Sequence, residues 1–211
     1  MGMMLKRRKL RGSVVLAVVA AVTMMACSSG ARLPPLAADA VILAFGDSLT
    51  FGTGASPAES YPAVLERLVG RRVVNAGIPG ETSDQGLSRL PAVLDKERPA
   101  LLILCHGGND LLRRMNRQQT ADHLRTMIRL ARDRKVDVVI LAVPSPALSL
   151  SPPSFYREIA EEMKVPFEGD ALARVLADGS LKSDTIHPNA AGYRELAGAV
   201  AALLQKSGAV E

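Results

Sequence analysis

Ser48 lies in Gly46-Asp47-Ser48-Leu49-Thr50, directly after the apolar run of residues 40–45. Far downstream, Asp184-Thr185-Ile186-His187-Pro188-Asn189 holds a carboxylate and an imidazole three positions apart. A free serine hydroxyl is a poor nucleophile and needs a base within hydrogen-bond reach. The base in turn needs a carboxylate on its second ring nitrogen, to fix the tautomer and steady the imidazolium. Ser48, His187 and Asp184 have the residue types for those three roles. Each also has a plainer reading. Gly-Asp-Ser after a strand suits a helix N-cap, and Asp-x-x-His-Pro-Asn suits a turn that leads into a helix. For the second pair both readings can hold, since such a turn would present the two side chains.

Two more segments lie between these ends: Asn75-Ala76-Gly77-Ile78-Pro79-Gly80-Glu81-Thr82 and Gly107-Gly108-Asn109-Asp110. Glycine suits positions where backbone must pass close to a substrate, and Gly-Gly-Asn-Asp is also a strong turn signal. Asp47 and Asp110 read as hydrogen-bonding supports for their loops. His106 follows an apolar run beside the Gly-Gly-Asn block without a partner residue to mark it, and His123 falls among charged residues on an expected helix, where solvent exposure is the simple reading. The three histidines are scattered and Cys105 is solitary, so no ligands sit at zinc spacing. Residues 77–80 have no following Lys-Ser or Lys-Thr, which argues against a phosphate-cradling loop. No metal and no cofactor is expected.

The elements that must position these residues are short apolar runs alternating with segments of helical period. Strands are expected at 41–45, 72–75, 101–105 and 138–143, with a weaker one at 165–167, all rich in Val, Ile or Leu as strands covered on both faces tend to be. Helices are expected at 61–69, 120–134, 155–164 and 190–205. In the second of these, Leu124, Met127, Ile128 and Ala131 share one face, and Arg125, Arg129 and Arg132 form a solvated face opposite. Alternation of this kind implies an open, mostly parallel sheet with helices on both sides.

The N-terminal residues stand apart. Lys6, Arg7, Arg8, Lys9 and Arg11 precede an apolar stretch, 14–25, that is too short to span a bilayer comfortably, which reads as a secretory signal peptide. Met24-Met25-Ala26-Cys27, followed by Ser28-Ser29-Gly30, resembles the cleavage motif of bacterial lipoproteins, in which the cysteine is lipidated; Met24 stands where that pattern usually carries Leu. Cleavage near Ala38-Asp39-Ala40 is the competing reading and would release a soluble protein. The expected division is a leader over 1–26, a tether over 27–39 and one domain over 40–211, a length within the usual range of roughly 100–200 residues for a single core. Ser28, after Cys27, is not the Asp associated with inner-membrane retention, so an outer-membrane anchor facing the periplasm is expected.

The formal charge of +5 comes entirely from that leader. Five of the 26 basic residues precede Cys27 and none of the 21 acidic ones do, so the remaining chain is balanced. Nothing in that balance favours a polyanion, and no nucleic-acid partner is expected. If Cys27 carries lipid, Cys105 is left alone at the end of an apolar run, as a buried and inert thiol.

Taken together, the blocks around Ser48, Gly80, Asn109 and His187 resemble the SGNH branch of the GDSL hydrolases, from about Val41 to the C-terminus. They are most similar to the small periplasmic esterases described as arylesterase, acyl-thioesterase and lysophospholipase. The resemblance implies a three-layer α/β/α, flavodoxin-like fold with a five-stranded sheet. It implies a serine esterase acting through an acyl-enzyme on Ser48, with Asp184 and His187 completing the catalytic set. The oxyanion donors it implies are the backbone N–H groups of Ser48 and Gly80 and the side-chain amide of Asn109. The implied substrates are acyl esters, with aryl esters, lysophospholipids and acyl thioesters among them. Two alternatives stay open: a carbohydrate O-acetylesterase acting on cell-wall polymers, and a non-catalytic envelope binding protein. The oligomeric state is not legible.

Overall fold

In the computed structural model, residues 1–2, 30–145 and 150–211 are described. Cys27 and the rest of residues 3–29 lie outside them, as do residues 146–149. Five strands form one parallel sheet in the order β2-β1-β3-β4-β5: β1 (Val41–Gly46), β2 (Arg72–Gly77), β3 (Leu101–Cys105), β4 (Asp137–Leu141) and β5 (Phe167–Glu168). The central strand β3 is buried at every position, and β1 at all but its first, which is why both read as continuous apolar runs. β2 lies at the sheet edge and is only partly covered.

Among the described residues, eight α-helices surround the sheet: α1 (Ser48–Phe51), α2 (Tyr61–Val69), α3 (Ser83–Glu97), α4 (Gly108–Leu112), α5 (Arg117–Asp133), α6 (Phe155–Met163), α7 (Ala171–Ala177) and α8 (Ala190–Ser207). α2 packs on α8 on one face, while α3, α5 and α6 pack side by side on the other. This is the expected three-layer α/β architecture. The four expected helices are present, α5 beginning at Arg117, earlier than the periodicity suggested. α3 carries no expectation from the sequence. Pro91, inside it, lacks the N–H of a helical residue, and Gly86 is a weak helix former, so its pattern is diluted.

The segment read as a tether is not free along its length. Leu33 N–H donates to Ser207 O (2.9 Å) and Leu36 N–H to Ala209 O (2.8 Å), and Leu36 joins the hydrophobic core. The chain is thus pinned to the C-terminal end of α8 before it enters β1.

The strand order reverses direction between β1 and β3, the topological switch point where open α/β sheets present their crevice. Ser48 follows β1, Gly80 follows β2 and Asn109 follows β3, so all three reach the carboxyl rim of the sheet. A Cβ on Gly46 would collide with the Cys105 carbonyl oxygen, which lets β1 and β3 stay close as Ser48 turns away.

Candidate active site

Asp47 caps α1, its Oδ1 accepting from Leu49 N–H (3.0 Å), and Ser48 is the first residue of that helix. Across the cleft, the turn before α8 carries the other two groups. His187 Nε2 lies 3.0 Å from Ser48 Oγ, and His187 Nδ1 lies 2.8 Å from Asp184 Oδ2. With the ring hydrogen on Nδ1, the imidazole donates to the carboxylate and accepts from the serine hydroxyl. Asp184 Oδ1 also accepts the backbone N–H groups of Ile186 and His187, at 2.8 Å each. Burial works against the Asp184 charge, but the hydrogen bonds from His187 and the two N–H groups outweigh it and hold the carboxyl below its ordinary range. The side chain of Asp184 remains 52% exposed and that of His187 14%. The geometry is that of a hydroxyl whose proton can be taken along a hydrogen bond that already exists.

Gly80 sits in the loop after β2 with φ +79° and is exposed. Its carbonyl accepts from Arg113 Nη2 (2.9 Å). Asn109, in the first turn of α4, donates from Nδ2 to Glu81 O (2.9 Å) and, by a longer bond, to Asp47 Oδ2 (3.2 Å). The amide therefore joins the loop after β2 to the residue before Ser48. Burial pushes the Asp47 carboxyl above its ordinary range, against the pull of His106, the Leu49 N–H and His187. Gly77, the other glycine of that loop, ends β2 and packs on the backbone of Phe51 instead.

The loop carrying Gly80 rests on a buried ionic cluster that the sequence did not reveal. Arg89, from α3, grips Glu81 with two bonds, Nε to Oε1 (2.6 Å) and Nη2 to Oε2 (2.7 Å). The same Nη2 donates to Ala76 O (2.8 Å), and the guanidinium lies 4.0 Å above the Phe45 ring. His106, for which the sequence marked no partner, is fully buried with Nε2 3.1 Å from Glu81 Oε2. Gly107 N–H donates to His106 Nδ1 (3.0 Å), so the ring hydrogen sits on Nε2 and points at the carboxylate. α3 comes close enough for this only because residue 86 is glycine; a Cβ there would strike His106 Nε2.

His123 is likewise corrected. It is half-buried, with Nδ1 2.8 Å from Ser83 Oγ, and Ser83 Oγ donates to Asp110 Oδ1 (2.5 Å). Ser83 and Asp110 are sealed from solvent, so this second serine, histidine and aspartate set ties the start of α3 to α4 and α5. Asp110 and Asp47 are hydrogen-bonding supports for their loops, as their positions suggested.

The cleft beside Ser48 is walled mainly by apolar side chains: Leu49, Leu112, Val143, Leu150, Leu176 and Ile186. Leu112 lines the cleft, Leu111 belongs to the core and Arg113 turns to Gly80 O. After β4, Pro144 lines the cleft, and residues 146–149 lie outside the described residues. Leu150, Leu176 and Ile186 sit in loops or on a short helix whose periodicity gave no signal.

Residues 44–195 match the GDSL-like Lipase/Acylhydrolase family. The chain is 33% identical to esterase TesA of Pseudomonas aeruginosa over 190 residues, covering 83% of this chain and 93% of that protein. It is 34% identical to thioesterase 1/protease 1/lysophospholipase L1 of Escherichia coli K12 over 161 residues, 72% of this chain and 77% of that one. A crystal structure of TesA superposes with a TM-score of 0.71 at 30% identity, covering 78% of this chain and 98% of the other. The chain belongs to the GDSL-like lipase and acylhydrolase family and is a serine esterase acting on carboxylic esters.

Proposed function

We propose that Ser48 is the nucleophile of this esterase, His187 its general base and Asp184 the group that orients the imidazole. Ser48 Oγ attacks the ester carbonyl as its proton passes to His187 Nε2. The tetrahedral intermediate collapses to an acyl-enzyme as the imidazolium protonates the leaving alcohol, and water then repeats the sequence. The backbone N–H groups of Ser48 and Gly80 and the Asn109 amide supply the oxyanion donors. Of the two bonds the amide now makes, the longer one to Asp47 is the one an oxyanion would replace. The observation that supports this reading best is the continuous chain Asp184–His187–Ser48, with contacts of 2.8 and 3.0 Å.

The domain over 40–211 follows a leader over 1–26, and Cys27 carries the lipid that tethers the enzyme in the bacterial envelope. Its substrates are acyl esters with an aliphatic chain, lysophospholipids and thioesters among them. The apolar lining of the cleft supports that class, as do the names of the relatives. Each methylene taken from water is worth about 0.8 kcal/mol, close to fourfold in kcat/KM. Acetyl, butyryl, hexanoyl and octanoyl p-nitrophenyl esters should therefore be cleaved with rising kcat/KM over the first members, and Ser48→Ala should cleave none of them. An optimum at acetyl would favour a carbohydrate O-acetylesterase, and turnover by Ser48→Ala would remove the nucleophile.

A further inference from the structure

Two of the three proposed oxyanion donors follow strands that are not neighbours. Gly80 comes after β2 and Asn109 after β3, and β1 lies between them in the sheet, so the two strands stand about 9.5 Å apart. For both donors to meet one oxygen atom, the loop after β2 must be held against α4 across the end of β1. Among the described residues, three links join residues 80–83 to α4 and its C-cap. At the sealed base, Asp110 Oδ2 accepts from Ser83 N–H (2.9 Å). Midway, Asn109 Nδ2 donates to Glu81 O (2.9 Å). At the open edge, Arg113 Nη2 donates to Gly80 O (2.9 Å). The middle link depends on the amide that also serves the oxyanion, and the base link holds a residue three positions beyond Gly80. Of the three, only the link at the edge is made to Gly80 itself.

We infer that Arg113 is a positioning residue of the oxyanion hole, a strut that fixes the Gly80 N–H relative to Asn109 and Ser48. The inference rests on the roles proposed above for Ser48, Gly80 and Asn109. Residues 78–81 form a turn closed by Glu81 N–H to Ile78 O (3.2 Å), with Pro79 in its second position and Gly80, at φ +79°, in its third. That is the type II pattern, which fixes the local shape of the turn. It does not fix where the turn stands over β1. A Cβ on Gly80 would meet no atom within 4 Å, so packing does not hold this residue either. The bonds of Arg89 and His106 hold Glu81 from beneath. Arg113 holds Gly80 from outside, and its own backbone is fixed, because Arg113 N–H donates to Asn109 O (3.0 Å) in the last turn of α4. One residue is thus bonded to both donors, through its backbone to Asn109 and through its side chain to Gly80. An exposed bond of this kind adds little to stability, since water competes for both partners. Its effect on rate is larger, because misplacing a catalytic group by about 1 Å can cost on the order of 10²-fold.

The test compares Arg113→Met, which keeps much of the side chain's length and removes its donors, with Arg113→Lys, which keeps an ammonium donor on a flexible stem. Both are made in the full chain and assayed on p-nitrophenyl butyrate beside Ser48→Ala. Arg113→Met should lower kcat by about tenfold, short of the roughly 10²–10³ that follows loss of a donor, with KM within about twofold. Its melting temperature should match the wild type, and Arg113→Lys should recover most of the rate. An alkyl boronic acid gives a second readout. Its boron bonds to Ser48 Oγ as the hydroxyl proton passes to His187, and the tetrahedral anion that results draws on the same donors as the transition state. Its affinity for Arg113→Met should fall by the same factor as kcat. Wild-type kcat in Arg113→Met, with or without a raised KM, overturns the inference. So does a loss of rate that leaves boronate affinity intact. A loss that accompanies a lower melting temperature and is not restored by lysine marks a merely structural bond and overturns it too. Ser48→Ala is read separately: turnover by that variant removes the nucleophile and the strut with it, whereas an inactive Ser48→Ala beside an unimpaired Arg113→Met removes the strut alone.

Discussion

Two histidine–carboxylate pairs stand at the carboxyl rim of the same sheet, within reach of the same loops. His187 meets Asp184 at 2.8 Å and His106 meets Glu81 at 3.1 Å. As pairs they are chemically alike, and what separates them is the third partner and the access of solvent. The free nitrogen of His187 faces a hydroxyl at the edge of a cleft. The free nitrogen of His106 is filled by the Gly107 N–H, and its carboxylate is claimed by Arg89. One ring can accept a proton from outside the fold, and the other has no vacant acceptor. The same contrast applies to Ser83, whose hydroxyl is already spent on Asp110 in a sealed position. Residue types alone therefore do not separate the two sets; the His187 ring accepts from a hydroxyl at the edge of a cleft, whereas the His106 ring accepts from a buried backbone N–H.

If that contrast is right, damage to the first pair removes chemistry while damage to the second removes structure. The largest effect belongs to Ser48→Ala and His187→Ala, each expected to lower kcat by on the order of 10⁶, with the double variant no worse than either, since the two act as a unit. Asp184→Asn should lose on the order of 10⁴, the effect of a mis-oriented imidazole. Thermal midpoints should barely move in these variants. Steady-state kinetics beside a melting curve checks both halves, and comparable losses from His106→Gln would collapse the distinction between the pairs.

Asn109, the proposed oxyanion donor, sits between the two regions. Asn109→Ala should reduce kcat by roughly 10²–10³ with a smaller change in KM. It also severs the bridge from Asp47 to the Glu81 carbonyl, so some loss of stability should accompany it. A raised KM with kcat intact would make Asn109 a ground-state binding residue.

The meeting of Ser48, His187 and Asp184 at the carboxyl rim was legible in the sequence because these groups sit in short contiguous blocks, each after an apolar run or before a helix. The sheet was legible for the same reason: β1 and β3 are covered on both faces and read as unbroken Val, Ile and Leu runs. The buried cluster was not legible, because Glu81, Arg89 and His106 come from a loop, a helix and a strand end, and only tertiary packing joins them. Arg89 in particular lies on the one long helix whose Pro91 and Gly86 hid its period. Leu150 and Leu176 in the cleft wall failed for a related reason, as they come from a loop and a one-sided short helix far apart in the chain.

Breaking the second region should register as stability. Arg89→Met leaves Glu81, whose side chain is only 5% exposed, without its bidentate partner. Loss of one partner of a buried pair costs on the order of 3 kcal/mol, which for a domain of this size lowers the melting temperature by on the order of 10 °C. Arg89→Lys should recover little of it, because an ammonium cannot bond two carboxylate oxygens, Ala76 O and the Phe45 ring at once. Full stability in Arg89→Met would mean the cluster contributes nothing to holding the loop.

The smallest effect is the sharpest on the comparison, because both carboxyls shift the same way. Burial works against the Glu81 charge, but the hydrogen bonds from His106 and Arg89 outweigh it and hold the carboxyl below its ordinary value, as the His187 and backbone bonds do for Asp184. A carboxyl depressed in the folded state contributes stability that is present above its unfolded pKa and is lost as the pH falls through its folded pKa. Glu81 is buried, so its contribution should be felt in the whole fold. Asp184 is half exposed, so solvent screens most of its share. Melting temperatures followed from pH 7 down to pH 3 should therefore decline in the wild type below the usual glutamate range. Glu81→Gln should start lower and flatten that decline, whereas Asp184→Asn should retain the wild-type slope despite its loss of activity. An equal flattening by Asp184→Asn would show that the exposed pair also supports the fold, and the division between a chemical and a structural histidine would fail.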